Sequence, residues 1–287
     1  MLTRRTFLIA STLATAGTTF AKPGRLSTLA TEFARLEKTN GGRLGVTVLD
    51  TASGERALYR SDERFAMCST FKFLLAAAVL AKVDAGKEAL VRTLPIPAEV
   101  TLGSSPLTKS HAGGTMTIYD LCEAIVTRSD NTAANLLLET IGGPAGITAY
   151  ARSLGDTVTR LDRNEMALNE ALPHDPRDTT SPNAMAGNLK TLLLGNRLSA
   201  ASRDLLTNWL IANVTGQARI RAGLPANLRT GDKTGSNGEN TTNDIAILWP
   251  PNHAPVLVAA YITECPGPEE KRNAMLAEVG RLVASCY

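Results

Sequence analysis

Three short motifs hold residue types that do chemistry together. Ser69-Thr70-Phe71-Lys72 sets a hydroxyl and an ammonium three residues apart, which is one face of a helix. Ser129-Asp130-Asn131 adds a second hydroxyl and an amide, and Lys233-Thr234-Gly235-Ser236 adds a further cation with two hydroxyls. A serine hydroxyl is a weak nucleophile until a neighbour takes its proton, and a lysine desolvated beside another cation gives up its own proton more readily. The set therefore reads as a nucleophile, Ser69, with groups to move its proton and donors for a substrate carboxylate. Each motif alone has a plainer reading. Ser-x-x-Lys turns up about once by chance in a chain of this length, and a serine before an apolar run is often only a helix N-cap. A lysine on a helix is usually solvated, but Lys72 sits in the apolar run Phe71, Phe73, Leu74, Leu75. All three motifs in this order carry the weight that none has singly.

Class A serine β-lactamases and penicillin-binding proteins share this set. The match continues in Glu165-Met166-Ala167-Leu168-Asn169, in Arg177-Asp178-Thr179-Thr180-Ser181-Pro182, and in Arg128-Ser129-Asp130-Asn131-Thr132-Ala133-Ala134-Asn135-Leu136-Leu137. From about residue 26 to the C-terminus the chain resembles a class A serine β-lactamase. The resemblance implies hydrolysis of the β-lactam ring of penicillins and cephalosporins through a covalent acyl-enzyme on Ser69, and so resistance to these antibiotics. Glu165 would be the general base on a deacylating water held with Asn169. Whether Glu165 or Lys72 activates Ser69 stays open. The N–H groups of Ser69 and Ser236 would form the oxyanion hole. Ser129 would relay a proton to the ring nitrogen, and Asn131 would bind the side-chain amide. Lys233, Thr234 and Ser236, around Gly235, would hold the substrate carboxylate, and an Arg163–Asp178 ion pair would close the loop 160–179.

Two departures stand out. The family usually carries proline, preceded by a cis bond, where this chain has Met166, and the sequence leaves cis and trans both open. Many members hold the carboxylate with an arginine where this chain has Thr242. Others use an arginine before Lys-Thr-Gly, a pattern that Asn213-Val214-Thr215-Gly216-Gln217-Ala218-Arg219 matches, so Arg219 is assigned to the carboxylate. The plain alternative is an arginine on a loop surface. A D,D-peptidase shares Ser69, Lys72 and Lys-Thr-Gly, and a β-lactam sensor acylates without turnover. The Glu165/Asn169 pair argues against both.

These residues need elements to position them. Leu26, Leu29, Phe33 and Leu36 fall at helical spacing, closed by Gly41-Gly42. Alternation predicts strands at 43–50, around 57–59, at 245–249 and at 256–262, with another at 228–233 carrying Lys-Thr-Gly on its end. Met275, Leu276, Val279, Leu282 and Val283 lie on one face of a final helix that starts at Pro268. The middle is mostly helical, with Thr117 and Asp120 as a capping signal and Asn131 as an expected cap. The fold class is α/β. An antiparallel five-stranded sheet flanked by terminal helices (residues 22–62 and 210–287) adjoins an all-α subdomain (63–209) that contains the loop 160–179. The site falls in the cleft between them.

The first residues read as an export signal. Arg4-Arg5 precedes an apolar run from Phe7, and Thr19-Phe20-Ala21 ends like a cleavage site, giving a signal peptide at 1–21. The paired arginines resemble a twin-arginine leader, although an ordinary secretory signal has the same destination, the periplasm. Removal would lower the net charge from +3 to +1, because two arginines and no acidic residue leave. A near-neutral chain disfavours nucleic acid, and no later run is long enough to span a bilayer. The expected partner is a small-molecule β-lactam, and the expected state a monomer. His111, His174 and His253 show no metal-ligand spacing, so neither a metal nor a cofactor is expected. Trp209 and Trp249 read as core. Family members that bridge the equivalents of Cys68 or Cys122 have the partner cysteines where this chain has Asn237 and Ala76. Cys265 and Cys286 bracket a helix about 25 Å long. Four free thiols are expected.

Overall fold

Alternating side chains along the strands decide the layering. The computed structural model describes residues 24–100 and 102–287, so the export signal at 1–21 lies outside the described residues. The first half contains α1 (Leu29–Asn40), β1 (Arg43–Asp50), β2 (Arg56–Tyr59), β3 (Phe65–Ala66), α2 (Phe71–Asp84), β4 (Thr93–Pro95), α3 (Pro106–Ser110) and β5 (Thr115–Thr117). It continues through α4 (Ile118–Thr127), α5 (Asn131–Thr140) and α6 (Pro144–Ser153). Then come β6 (Thr179–Thr180), α7 (Pro182–Leu193), α8 (Ala200–Ile211), β7 (Arg229–Ser236), β8 (Thr242–Trp249), β9 (Val256–Thr263) and α9 (Glu269–Ala284).

The principal sheet is antiparallel throughout, in the order β2-β1-β9-β8-β7. Successive strand residues point to opposite faces. Val256, Val258, Ala260 and Ile262 of β9 pack with Leu29 and Phe33 of α1 and with Met275, Leu276 and Val279 of α9. Leu257, Ala259 and Tyr261 face the other way, into a second core shared with the helices α2 to α8. Both faces are covered, so the central strands β1, β9 and β8 are buried almost throughout, whereas the edge strand β2 is largely exposed.

Helix α2 is the axis of the helical part. Every residue from Phe71 to Leu80 is buried, as expected of a helix apolar all round. The capping box at Thr117 and Asp120 forms as predicted. The expected cap at Asn131 does not. Asp130 is the N-cap of α5, accepting from Ala133 N at 2.9 Å, because an acidic side chain one residue earlier takes the exposed N–H group. Asn131 is then the first helical residue, free to turn its amide elsewhere. Trp209 is buried as expected, whereas Trp249 is half-buried with the Arg229 guanidinium 4.3 Å above its ring.

Two strands run further than predicted. β7 continues through Lys-Thr-Gly to Ser236, and β8 begins at Thr242, since residues 233–236 pair with 242–245. These added residues are mainly polar, so a search for apolar alternation passes over them.

The loop 160–179 is held at its neck. Arg163 Nε donates to Asp178 Oδ2 at 2.6 Å, and Asp178 Oδ1 accepts from the N–H groups of Asp162 and Arg163 at 2.7 and 3.0 Å. Arg163 also pairs with Glu170. The bond between Glu165 and Met166 is cis.

Candidate active site

The nucleophile sits where three elements converge. Cys68, in a left-handed conformation (φ 43°), opens a tight turn, Cys68–Thr70, that leads into α2. Strand β7 passes against this turn. A Cβ placed on Gly235 would lie 2.6 Å from Met67 O and 3.1 Å from the N atoms of Ser69 and Thr70. Glycine is therefore required there for close approach. Asn243 of β8 ties the turn to the sheet, its Nδ2 donating to the carbonyls of Ala66 and Met67 at 2.9 and 3.0 Å.

Lys72 lies one turn along α2. Its Nζ donates to Ser69 Oγ at 3.0 Å, to Asn131 Oδ1 at 2.6 Å and to Ser129 O at 2.8 Å. It also sits 2.9 Å from Glu165 Oε1, and both side chains are fully buried. Burial pulls the Lys72 ammonium below the usual lysine range, against the opposing attraction of Glu165. Ser69 Oγ is itself 3.3 Å from Glu165 Oε1. The serine thus has two groups within proton-transfer reach.

Ser129 bridges the two lysines. Its Oγ accepts from Lys233 Nζ at 3.1 Å and faces Lys72 Nζ at 3.4 Å, with the residue held at φ 58°. Burial, and then the like charges of Lys72 and Arg219, push Lys233 well below its usual range. Alongside, Thr234 Oγ1 is 2.5 Å from Thr215 Oγ1, and Ser236 Oγ accepts from Gly238 N at 3.1 Å.

Glu165 is gripped on all sides. Asn169 Nδ2 donates to its Oε2 at 2.6 Å, while Asn135 meets both its N–H and its C=O at 2.9 Å. Asn169 Oδ1 is buried with no protein donor, so it keeps an acceptor that a water molecule can fill.

The structure brings Ser69, Lys72, Ser129, Asn131, Glu165, Asn169 and Lys233 into one hydrogen-bonded network, with Thr234, Gly235 and Ser236 on the adjoining strand. Arg219 is the correction. Its fork does not stand open to a ligand. It is buried beside β7 and β8, with Nη1 donating to Gly235 O and Asn243 O at 2.9 and 2.7 Å, Nη2 paired with Glu269 at 2.9 Å, and Nε bonded to Asn273 at 3.1 Å. Two sheet carbonyls, a carboxylate and an amide share the guanidinium, because a buried fork of donors must find acceptors. Three participants were missed. Asn135 sets the Glu165 backbone, and Thr215 meets Thr234. Arg272 of α9, fully buried, donates to Thr242 Oγ1 at 2.9 Å. Asn135 and Thr215 lay inside noted motifs and Arg272 did not, and none is near its partner in sequence. A separate cavity of about 380 Å³, lined in part by Arg43, Arg64, Arg163 and Arg177, holds none of the catalytic candidates.

A half-buried serine against a buried Lys–Glu pair, with a lysine–serine bridge on a sheet edge, defines a serine acyl-transfer site. The family model described as "Beta-lactamase enzyme family" matches residues 28–287, and the chain belongs to that family. It is 49% identical to Beta-lactamase L2 of Stenotrophomonas maltophilia, over 98% of each chain. It is also 49% identical to Beta-lactamase Toho-1 of Escherichia coli, over 86% of this chain and 85% of that one. Among solved structures it is similar to an ancestral (GNCA) class A β-lactamase, with a TM-score of 0.88 and 60% identity over 90% of this chain and 100% of the other. A β-lactamase from Xanthomonas campestris pv. campestris matches with a TM-score of 0.89 and 48% identity, over 92% and 99% of the two chains. No helix among the described residues is long and apolar enough to cross a membrane.

Proposed function

We propose that the protein hydrolyses the β-lactam ring of penicillins and cephalosporins through an ester on Ser69, and so gives resistance to them. The observation that carries this reading is Glu165. Its carboxylate reaches Ser69 Oγ at 3.3 Å and Asn169 Nδ2 at 2.6 Å, where a water held by both can attack an ester on Ser69. In acylation Ser69 Oγ adds to the ring carbonyl and its proton passes to Glu165 or Lys72. The developing oxyanion is met by the N–H groups of Ser69 and Ser236. The C–N bond then breaks as Ser129 passes a proton to the ring nitrogen. In deacylation Glu165 takes a proton from the water, the hydroxide adds to the ester, and Ser69 leaves with its proton restored.

Lys233, Thr234 and Ser236 bind the substrate carboxylate, and Asn131 donates to the side-chain amide. Arg219 acts on that carboxylate from behind, by fixing the Gly235 carbonyl and lending positive charge. Residues 22–62 with 210–287 and residues 63–209 act as two subdomains that frame the cleft. The mature protein is a periplasmic monomer that needs neither cofactor nor nucleic acid.

The test is turnover of a chromogenic cephalosporin by the pure protein and by Glu165→Ala. Wild type should turn over steadily. The variant should acylate in a burst and then stall, leaving an adduct detectable by mass, with deacylation slowed by roughly 10²- to 10⁴-fold. Near-normal turnover in the variant would remove Glu165 from deacylation.

A further inference from the structure

Thr215 takes no step in the chemistry above, yet its hydroxyl lies 2.5 Å from that of Thr234. Which of the two donates follows from their neighbours. The Thr215 N–H can only donate, so the Asn213 atom 3.0 Å from it is the acceptor Oδ1. That fixes the Asn213 amide, whose Nδ2 donates to Asp232 Oδ2 at 2.7 Å. The same Oδ1 lies 2.8 Å from Thr215 Oγ1. A carbonyl oxygen has no proton to give, so Thr215 spends its one O–H on Asn213. Two oxygens 2.5 Å apart with no proton between them would repel, so the proton between the threonines belongs to Thr234.

The pair is therefore set the wrong way round for an anion. Thr234 is buried, and among the described residues its hydroxyl has no other protein partner. With its O–H on Thr215, it turns only lone pairs towards a substrate carboxylate. To donate to that carboxylate it must rotate, and Thr215 must then swing its own O–H towards Thr234. Asn213 Oδ1 can release that O–H, because the Thr215 N–H stays bonded there. Thr215 cannot back away instead. On one side Val214 N–H is bonded to Thr127 O at 3.2 Å, and on the other a Cβ on Gly216 would strike the Asp232 carboxylate.

We propose that Thr215 is a positioning residue for the substrate carboxylate. Its hydroxyl donates to Asn213 in the free enzyme and to Thr234 once the anion arrives. That second donation polarises Thr234 and strengthens its own hydrogen bond to the carboxylate. The proposal rests on the reading that Thr234 binds this carboxylate.

The experiment compares a penicillin with its methyl ester, which keeps the ring and loses the charge. In Thr215→Ala the ratio of kcat/KM, acid over ester, should fall about five- to tenfold, mainly through KM, as expected for one hydrogen bond. General damage to the fold or to Ser69 falls on both substrates and cancels in the ratio. Thr215→Ser restores the hydroxyl, and its ratio should return to within about twofold of wild type. In a Thr234→Ala background, Thr215→Ala should lower the ratio no further, since the two hydroxyls act as one unit. Three results each overturn the proposal: an unchanged ratio in Thr215→Ala, an equal fall in Thr215→Ser, or a full further fall in the double variant. The carboxylate reading is tested apart, by wild type alone. If wild type prefers the acid while Thr215→Ala keeps the ratio, that reading stands and the role of Thr215 falls. If wild type hydrolyses acid and ester equally well, the carboxylate reading fails and Thr215 loses its role with it.

Discussion

Gly235 is a glycine for reasons of space, not of backbone angle. Any side chain there would strike Met67 O and the N–H groups of the nucleophile turn, so its bareness lets strand β7 lie against that turn. Lys233, two residues earlier, shows the cost of the same closeness. Its charge is buried beside Lys72 and Arg219 and titrates well below the ordinary range. In the unfolded chain it titrates near 10.4. Between the folded and unfolded values only the unfolded chain holds the extra proton. Stability therefore rises with pH across that window and is lost as pH falls through it. Lys233→Met lacks the titration. The stability of wild type relative to this variant, read from urea unfolding, should climb as pH rises toward the unfolded value near 10.4. A flat difference would mean that Lys233 titrates normally in the fold. The variant should also lose most of its activity, since Ser129 Oγ loses the nearer of its two lysine donors.

At the scale of elements, the site depends on how the β7–β8 hairpin meets the turn before α2. Arg219 holds that meeting, with one Nη joined to carbonyls on both strands. A residue that only touched substrate would leave stability alone when removed. Arg219→Ala should instead lower Tm by several degrees, because it strips the donor from two buried carbonyls, at about 1–3 kcal/mol each. It should also lower kcat/KM roughly ten- to a hundredfold. Unchanged Tm with reduced kcat/KM would return Arg219 to direct carboxylate binding. Lysine there should rescue only in part, since one ammonium cannot reproduce a planar fork shared among four acceptors.

Across the whole molecule, the four cysteines are free. Cys68, Cys122 and Cys265 are buried and Cys286 is half-buried. Burial, aided by Glu165, pushes the Cys68 thiol up to about 12, and thiolate is the reactive form. Alkylation of the native protein without reductant should label Cys286 first and spare the nucleophile's neighbour. Denaturant should then expose four labels by mass, and two or fewer would establish a bridge. Much of this architecture was legible beforehand. Strand alternation at 43–50 and 256–262, the face of the last helix and the Thr117/Asp120 box are local patterns, set by periodicity and capping that neighbouring residues carry among themselves. The chemical types of Ser69, Lys72, Ser129, Glu165 and Lys233 were legible for the same reason, as short motifs. What the chain could not disclose locally were pairings between distant residues. Asn135 meets Glu165 across 30 positions, Thr215 meets Thr234, and Arg272 reaches Thr242. Arg219 turned to the sheet because buried donors must find acceptors, and those acceptors exist only once β7 and β8 lie side by side. The sequence by itself determined which groups could react; the tertiary structure decided which of them point at Ser69 and which are consumed in holding the cleft together.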